Sequence, residues 1–188
     1  MVDLFKHYFR IKLQEKKWKS LWVSLLLTLF FSLAYVFFDI SICKKLDKFN
    51  GILAAIAIFA GFFFNALMLL FSLKNYSAFR ELRKKLYPSP EKPFKIGQLL
   101  VSHYDYLMLS TFYVMGIGFL TAIFMSFIFI GCYFNLGILI KKLVPTFYPA
   151  LKVLCSGITT FLTLHFLFES TGLVAKFYYV LFIEAKRD

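Results

Sequence analysis

His165 and Glu169 stand four residues apart in an otherwise almost uncharged stretch. On a helix that spacing puts both side chains on one face. A carboxylate beside an imidazole can relay a proton, and ionisable groups at membrane depth are functional candidates by default. The same spacing equally suits a locally satisfied polar pair near an interface, where both groups reach water. His103 and Asp105 are also close, but two residues apart they do not share a helix face. Asp105 reads as a charge near a helix N-terminus. Asn65 and the row Thr159, Thr160 and Thr163 can hydrogen-bond between helices or line a polar path, though a pore needs a repeated polar stripe or a ring of charge. Cys43, Cys132 and Cys155 are widely spaced and form no CxxC or Cys/His pattern, so they read as small apolar residues. No GxSxG, HExxH, Walker A or GxGxxG motif occurs. The sequence therefore supplies no catalytic constellation, no metal ligand set and no cofactor motif. The chain reads as something other than an enzyme.

The elements that must position these residues follow from composition. Of 188 residues 60% are hydrophobic, 21% aromatic and only 17% charged, and 26 are Phe. Soluble domains average roughly 45–50% apolar and about 25% charged. A core of this size cannot hide so much apolar surface from water. A bilayer can. Charge is absent from Leu21–Phe38, Gly51–Leu73, Tyr106–Ile140 and Val153–Phe168. A span needs about 20 apolar residues, so these runs predict four helices, over about 20–38, 51–73, 106–134 and 152–173. The third run is too long for one straight span, and Gly131, Asn135 and Gly137 offer places to stop. Asn135–Ala150 is expected as an outer connection, with Pro145 and Pro149 blocking continuous helix. The basic start is long for a secretory signal, and no small-residue cleavage site follows Phe38, so the first run is expected to stay as a span. Together these readings give a single membrane domain over 1–188: an all-α four-helix bundle.

Orientation follows from the basic residues, which accumulate on the cytoplasmic side. Six Lys/Arg fall in the first 19 residues, seven between Lys74 and Lys95, and three in the tail from Lys176. The other two connections hold three each. Both termini are therefore expected inside, as an even number of spans requires. The formal net charge of +12 then lies mainly against anionic inner-leaflet lipid. No aromatic-and-basic module points to direct nucleic-acid binding.

Outside the spans, residues 1–19 pattern as an interfacial helix, with Phe5, Phe9 and Leu13 on an apolar face beside Lys6, Arg10 and Lys12. Trp18, Trp22 and, near the C-terminus, Tyr178 are expected as interfacial anchors. Residues 74–105 pattern as a cytoplasmic helical hairpin. Phe79, Leu82 and Leu86 recur at helical spacing, Arg80, Arg83, Lys84 and Lys85 lie beside them, and Pro88, Pro90 and Pro93 make the turn. The four basic residues are partner-docking candidates; a solvated basic face touching lipid is the alternative. Residues 174–188 form a juxtamembrane tail whose apolar part, 177–183, can continue span four, lie in the interface or pack between subunits. Ala57 with Gly61, and Gly118 with Ala122, are four apart and are candidates for close helix packing, within one chain or between copies.

The stretch AIFAGFFFNALMLLFSLKNY, from Ala57 to Tyr76, and the basic helix after it resemble the KwaA family. That family is the four-span membrane component of the two-protein Kiwa antiphage systems of bacteria. The resemblance covers the overall layout and this one stretch. It implies a homo-oligomeric assembly of the bacterial inner membrane that perceives phage at the envelope. It further implies a cytoplasmic partner, KwaB, which acts on phage DNA. The expected function is a sensor or scaffold that relays an envelope disturbance to that effector. A pore-forming effector or small channel, and a small transporter or accessory subunit of a membrane complex, are the alternatives.

Overall fold

The computed structural model describes residues 6–11, 19–37, 46–72, 77–87, 91, 93–96, 99–134 and 136–178. About 88% of them are helical. The order is α1 (6–11), α2 (Lys19–Phe37), α3 (Leu46–Ser72), α4 (Ser77–Lys84), β1 (Lys95–Ile96), β2 (Leu99–Leu100), α5 (His103–Tyr133), α6 (Leu136–Leu143) and α7 (Tyr148–Tyr178). The chain is all-α apart from the two short strands. Among the described residues three helical segments are long and apolar enough to cross a membrane: Asn50–Ser72, His103–Gly131 and Tyr148–Tyr178. Without water to bond them, backbone amides and carbonyls must pair within the segment, and a continuous helix does this. The first expected span falls on α2, whose stretch Leu21–Ser32 is a shorter apolar helix.

Helix ends have local causes. Ser102 and Asp105 form a capping box on α5: the Ser102 hydroxyl accepts from the Asp105 amide at 3.1 Å, and the Asp105 carboxylate accepts from the Ser102 amide at 3.1 Å. Pro145 lies in the turn between α6 and α7. Pro149, expected to block helix, is instead the second residue of α7, where its missing N–H had no intrahelical partner to lose. The connection after α5 also carries an eight-residue helix, α6, with no buried side chain.

The expectation of a helical hairpin over 74–105 needs correction. Its first arm is helical, as α4. Its second arm is extended up to Ser102, where α5 starts. Strands β1 and β2 pair antiparallel in the register Lys95↔Leu100 and Ile96↔Leu99, and Leu86 bridges Ser102. The physical reason is turn chemistry. In the sequence Gly-Gln separates the two paired segments, and Gly-X is a preferred two-residue hairpin loop.

The chain packs as two compact units. One comprises residues 1–18, 61–116 and 169–188; the other comprises 19–60 and 117–168. In the second unit the tightest approach is at Gly118. A Cβ there would lie 2.7 Å from the Phe166 ring and 3.1 Å from the Ala60 Cβ. Phe166 and Ala60 are both fully buried. Gly157 similarly sits where a Cβ would meet the Ser32 hydroxyl at 3.3 Å, bringing α7 against α2. Ala122, one turn on from Gly118, is half-buried. On α3 Ala60 makes the contact, while Ala57 is exposed and a Cβ on Gly61 would meet nothing within 4 Å.

Gly118→Ala is expected to destabilise the protein by about 1–3 kcal/mol, the usual cost of overpacking a filled core. Gly61→Ala is expected to be neutral or stabilising by up to about 1 kcal/mol through helix propensity. Apparent melting temperatures of the two variants in one detergent check the contrast, and Phe166→Leu should recover part of the Gly118→Ala loss.

Candidate functional site

The site lies in the first unit, where α1, α5, α7 and the segment after α4 meet. Residues 6–11 form an amphipathic helix. Tyr8 and Ile11, three apart and each 1% exposed, face inward, while Lys6, Phe9 and Arg10 face out. The Tyr8 hydroxyl donates a 2.7 Å hydrogen bond to Oε2 of buried Glu169. Its ring stacks on Tyr113 at 4.0 Å between centroids, and Phe9 meets Tyr113 edge-on at 5.5 Å.

Seven residues beyond Glu169, Lys176 occupies the same face of α7. Its Nζ donates to the Tyr106 hydroxyl at 2.8 Å, lies 4.3 Å from the centroid of that ring, and reaches the Ser110 hydroxyl at 3.4 Å. Tyr106 and Tyr113 are also seven apart. The two rungs therefore zip α5 against α7 in antiparallel order, Tyr106 opposite Lys176 and Tyr113 by Glu169. Tyr106 in turn stacks on Tyr87 at 3.9 Å, and Tyr87 meets His103 and Phe94 edge-on at 5.0 and 5.7 Å. One continuous row of side chains thus runs from α1 through α7 and α5 to the β-hairpin.

A second row ties α4 to α3. The apolar edge of α4, Phe79 and Leu82, is buried, with Phe79 edge-on to Tyr104 at 6.1 Å. The Arg83 guanidinium lies 5.0 Å from the Tyr104 ring centroid. The Tyr104 hydroxyl donates to the Leu70 carbonyl at 2.9 Å. Leu70 is in the last described turn of α3, so this bond fastens α5 to the α3 backbone. Of the docking candidates, Arg80, Arg83, Lys84 and Lys85 are all exposed at the surface of this unit.

His165 and Glu169, four apart on α7, are both buried. Glu169 accepts from Tyr8, and buried His165 stacks on Phe161 at 5.6 Å with the rings nearly parallel. Thr159 donates to the Cys155 carbonyl of its own helix at 2.7 Å, a back-bond rather than an interhelical bond. Asn65 is exposed on α3. Trp22 and Tyr178 are each 60% exposed; Phe5 and Trp18 lie outside the described residues. Cys155 is a free thiol. Among the described residues no group of three or more His, Cys, Asp or Glu is placed to hold a metal ion.

Sequence reading overlooked Tyr8, Tyr87, Tyr104, Tyr106, Tyr113 and Lys176 as a network. The available signal was the matched seven-residue spacing of Tyr106/Tyr113 and Glu169/Lys176. Burial, and next the charge of Glu169, hold the Tyr8 hydroxyl well above the usual tyrosine range. The phenol therefore stays protonated, donates its hydrogen bond and accepts no proton at neutral pH. The arrangement's chemistry is positional: it fixes α1 to two long helices through one charge-assisted bond. Compared with protein-family models, curated proteins and solved structures, the chain matches none.

Tyr8→Phe is expected to cost about 2 kcal/mol, typical for a hydrogen bond to a charged group, whereas Lys6→Gln on the exposed face should stay within about 0.5 kcal/mol. The unfolded chain sheds the Tyr8 proton near pH 10 while the folded chain keeps it. This contribution is thus complete below about pH 10 and is lost as the pH climbs toward the raised value. Melting temperatures from pH 8 to 11 should fall less steeply in Tyr8→Phe than in the parent.

Proposed function

We propose that this chain is a multi-pass sensor or scaffold of the bacterial inner membrane that relays an envelope disturbance to a cytoplasmic effector. In this reading α2 is the fourth span, and both termini and the α4–hairpin element face the cytoplasm. The protein acts without catalysis of its own. Its partner is a soluble DNA-binding protein of the KwaB kind, and anionic inner-leaflet lipid holds its basic face. The observation that carries the reading is the linkage of α4. Its apolar edge is seated on Tyr104, Tyr104 is bonded to the end of α3, and Arg80, Lys84 and Lys85 remain at the surface. A tilt of α3 or α5 would therefore carry the basic surface with it. The Tyr8–Glu169 bond supplies the sensing input, because it fastens an amphipathic N-terminal helix to the same packed unit. Perturbation of the interface in which α1 lies would be felt at α5 and α7.

Homo-oligomerisation belongs to the same proposal. Asn65 is exposed on α3, seven residues from its end, among outward-facing Phe62, Phe64, Met68 and Leu69. An amide in hydrocarbon is stabilised by a hydrogen-bond partner on a neighbouring helix, a contribution of about 0.6–2 kcal/mol. A second copy presents a matching amide.

Two outcomes test the reading. Introduced with the product of the adjacent reading frame into a phage-sensitive bacterium, the chain should lower plaque formation. Reversing the charge of Arg80, Arg83, Lys84 and Lys85 together should abolish both this protection and co-purification of that product, at unchanged membrane levels of the chain. Protection that survives the reversal, or that never arises, refutes the relay. Cross-linking in mild detergent should show oligomer reduced by Asn65→Leu and retained by Asn65→Gln.

A further inference from the structure

We propose that the β1–β2 hairpin is a lipid-docking element, which rests Leu99 and Leu100 in the headgroup layer of the leaflet that α3 and α5 enter and sets Lys95 against anionic headgroups. The inference rests on the reading that α3 and α5 cross the bilayer.

Three observations carry it. First, Leu99 is 75% and Leu100 47% exposed. Successive strand residues point to opposite faces, so two adjacent exposed leucines mean that both faces of β2 are open. Water is a poor medium for such a pair.

Second, the hairpin stands close to the level of the last described turn of α3. The Tyr104 hydroxyl bonds the Leu70 carbonyl at 2.9 Å, and Phe71 meets Phe112 edge-on at 6.1 Å. The first three turns of α5 thus pack beside that turn. Phe71 and Met68 are apolar and outward-facing there, so the hydrocarbon boundary falls near this level. Leu99 precedes His103 by four residues, a reach of at most about 14 Å. The headgroup region adds only about 5–8 Å beyond the hydrocarbon on each side. The hairpin is also held in place. Val101 bonds both Tyr87 and Phe94, and the His103 amide donates to the Lys85 carbonyl at 3.0 Å, which ties the hairpin base to the end of α4.

Third, charge is complementary. Lys95 is exposed and pairs directly across from Leu100, so a cation and an apolar side chain leave the same face of the hairpin. Arg80, Arg83, Lys84 and Lys85 are exposed in the same unit, against Glu91 and Asp105. An apolar strand with a cation paired across from it suits an anionic lipid surface, where each Lys or Arg near the headgroups contributes about 1 kcal/mol.

The test uses the full chain with Cys43, Cys132 and Cys155 replaced by Ser and one environment-sensitive fluorophore attached at Leu99→Cys, Phe64→Cys or Glu91→Cys. Each protein is placed in phosphatidylcholine nanodiscs with or without phosphatidylglycerol. Quenching is read from a lipid with a nitroxide high on its acyl chain and from aqueous iodide. The Leu99 probe should be quenched by the lipid nitroxide about twofold or more over the Glu91 probe, and be correspondingly shielded from iodide. Lys95→Glu should weaken that nitroxide quenching in discs with phosphatidylglycerol and leave it unchanged in discs without. A Leu99 probe as open to iodide as the Glu91 probe, with the Phe64 probe quenched by lipid, overturns the docking while leaving the spans intact. A Leu99 probe shielded from both quenchers overturns it in favour of a protein partner. A Phe64 probe insensitive to the nitroxide removes the spanning premise itself.

Discussion

A buried carboxylate and an amine two turns apart on one helix set the terms for everything around them. Glu169 and Lys176 sit on one face of the largely apolar α7, where a charge without a partner costs several kcal/mol. Each is met by a phenol from elsewhere in the chain. Tyr8 donates to the first, and Tyr106 accepts from the second. Tyrosine suits both tasks, because its ring packs as apolar surface while its hydroxyl donates or accepts as required. The two bonds explain why the N-terminal helix belongs to the same packed unit as the C-terminal end of α7.

The same economy recurs at the ends of the helices. Tyr104 donates to a carbonyl in the last described turn of α3, and Ser102 with Asp105 closes the start of α5. Thr28, Thr111, Thr121 and Ser126 all donate to the carbonyl four residues back in their own helices. In the second unit the backbones approach closely at Gly118 and Gly157. In the first unit directional bonds join α1 to α7, α7 to α5 and α5 to α3.

Much of this was readable from residue types. The long apolar runs announced helices fit for a membrane, and α3, α5 and α7 occupy them. The amphipathic pattern of α4 was equally plain, with Phe79 and Leu82 turned inward and Arg80 outward. The S-x-x-D box at Ser102 stands in the sequence as well, whereas the pairing of Lys95 with Leu100 depends on the fold.

Hydropathy and length are additive along the chain, so the sequence by itself determined the medium that suits this protein, the helical class and the concentration of basic charge. Rotation about a helix axis is not additive: each residue turns by about 100°, and a shift of a few positions changes which side chain faces a neighbour. Only the tertiary structure could decide that Ala60 rather than Ala57 meets Gly118. Only it could decide that Glu169 accepts a hydrogen bond from Tyr8, 161 residues away.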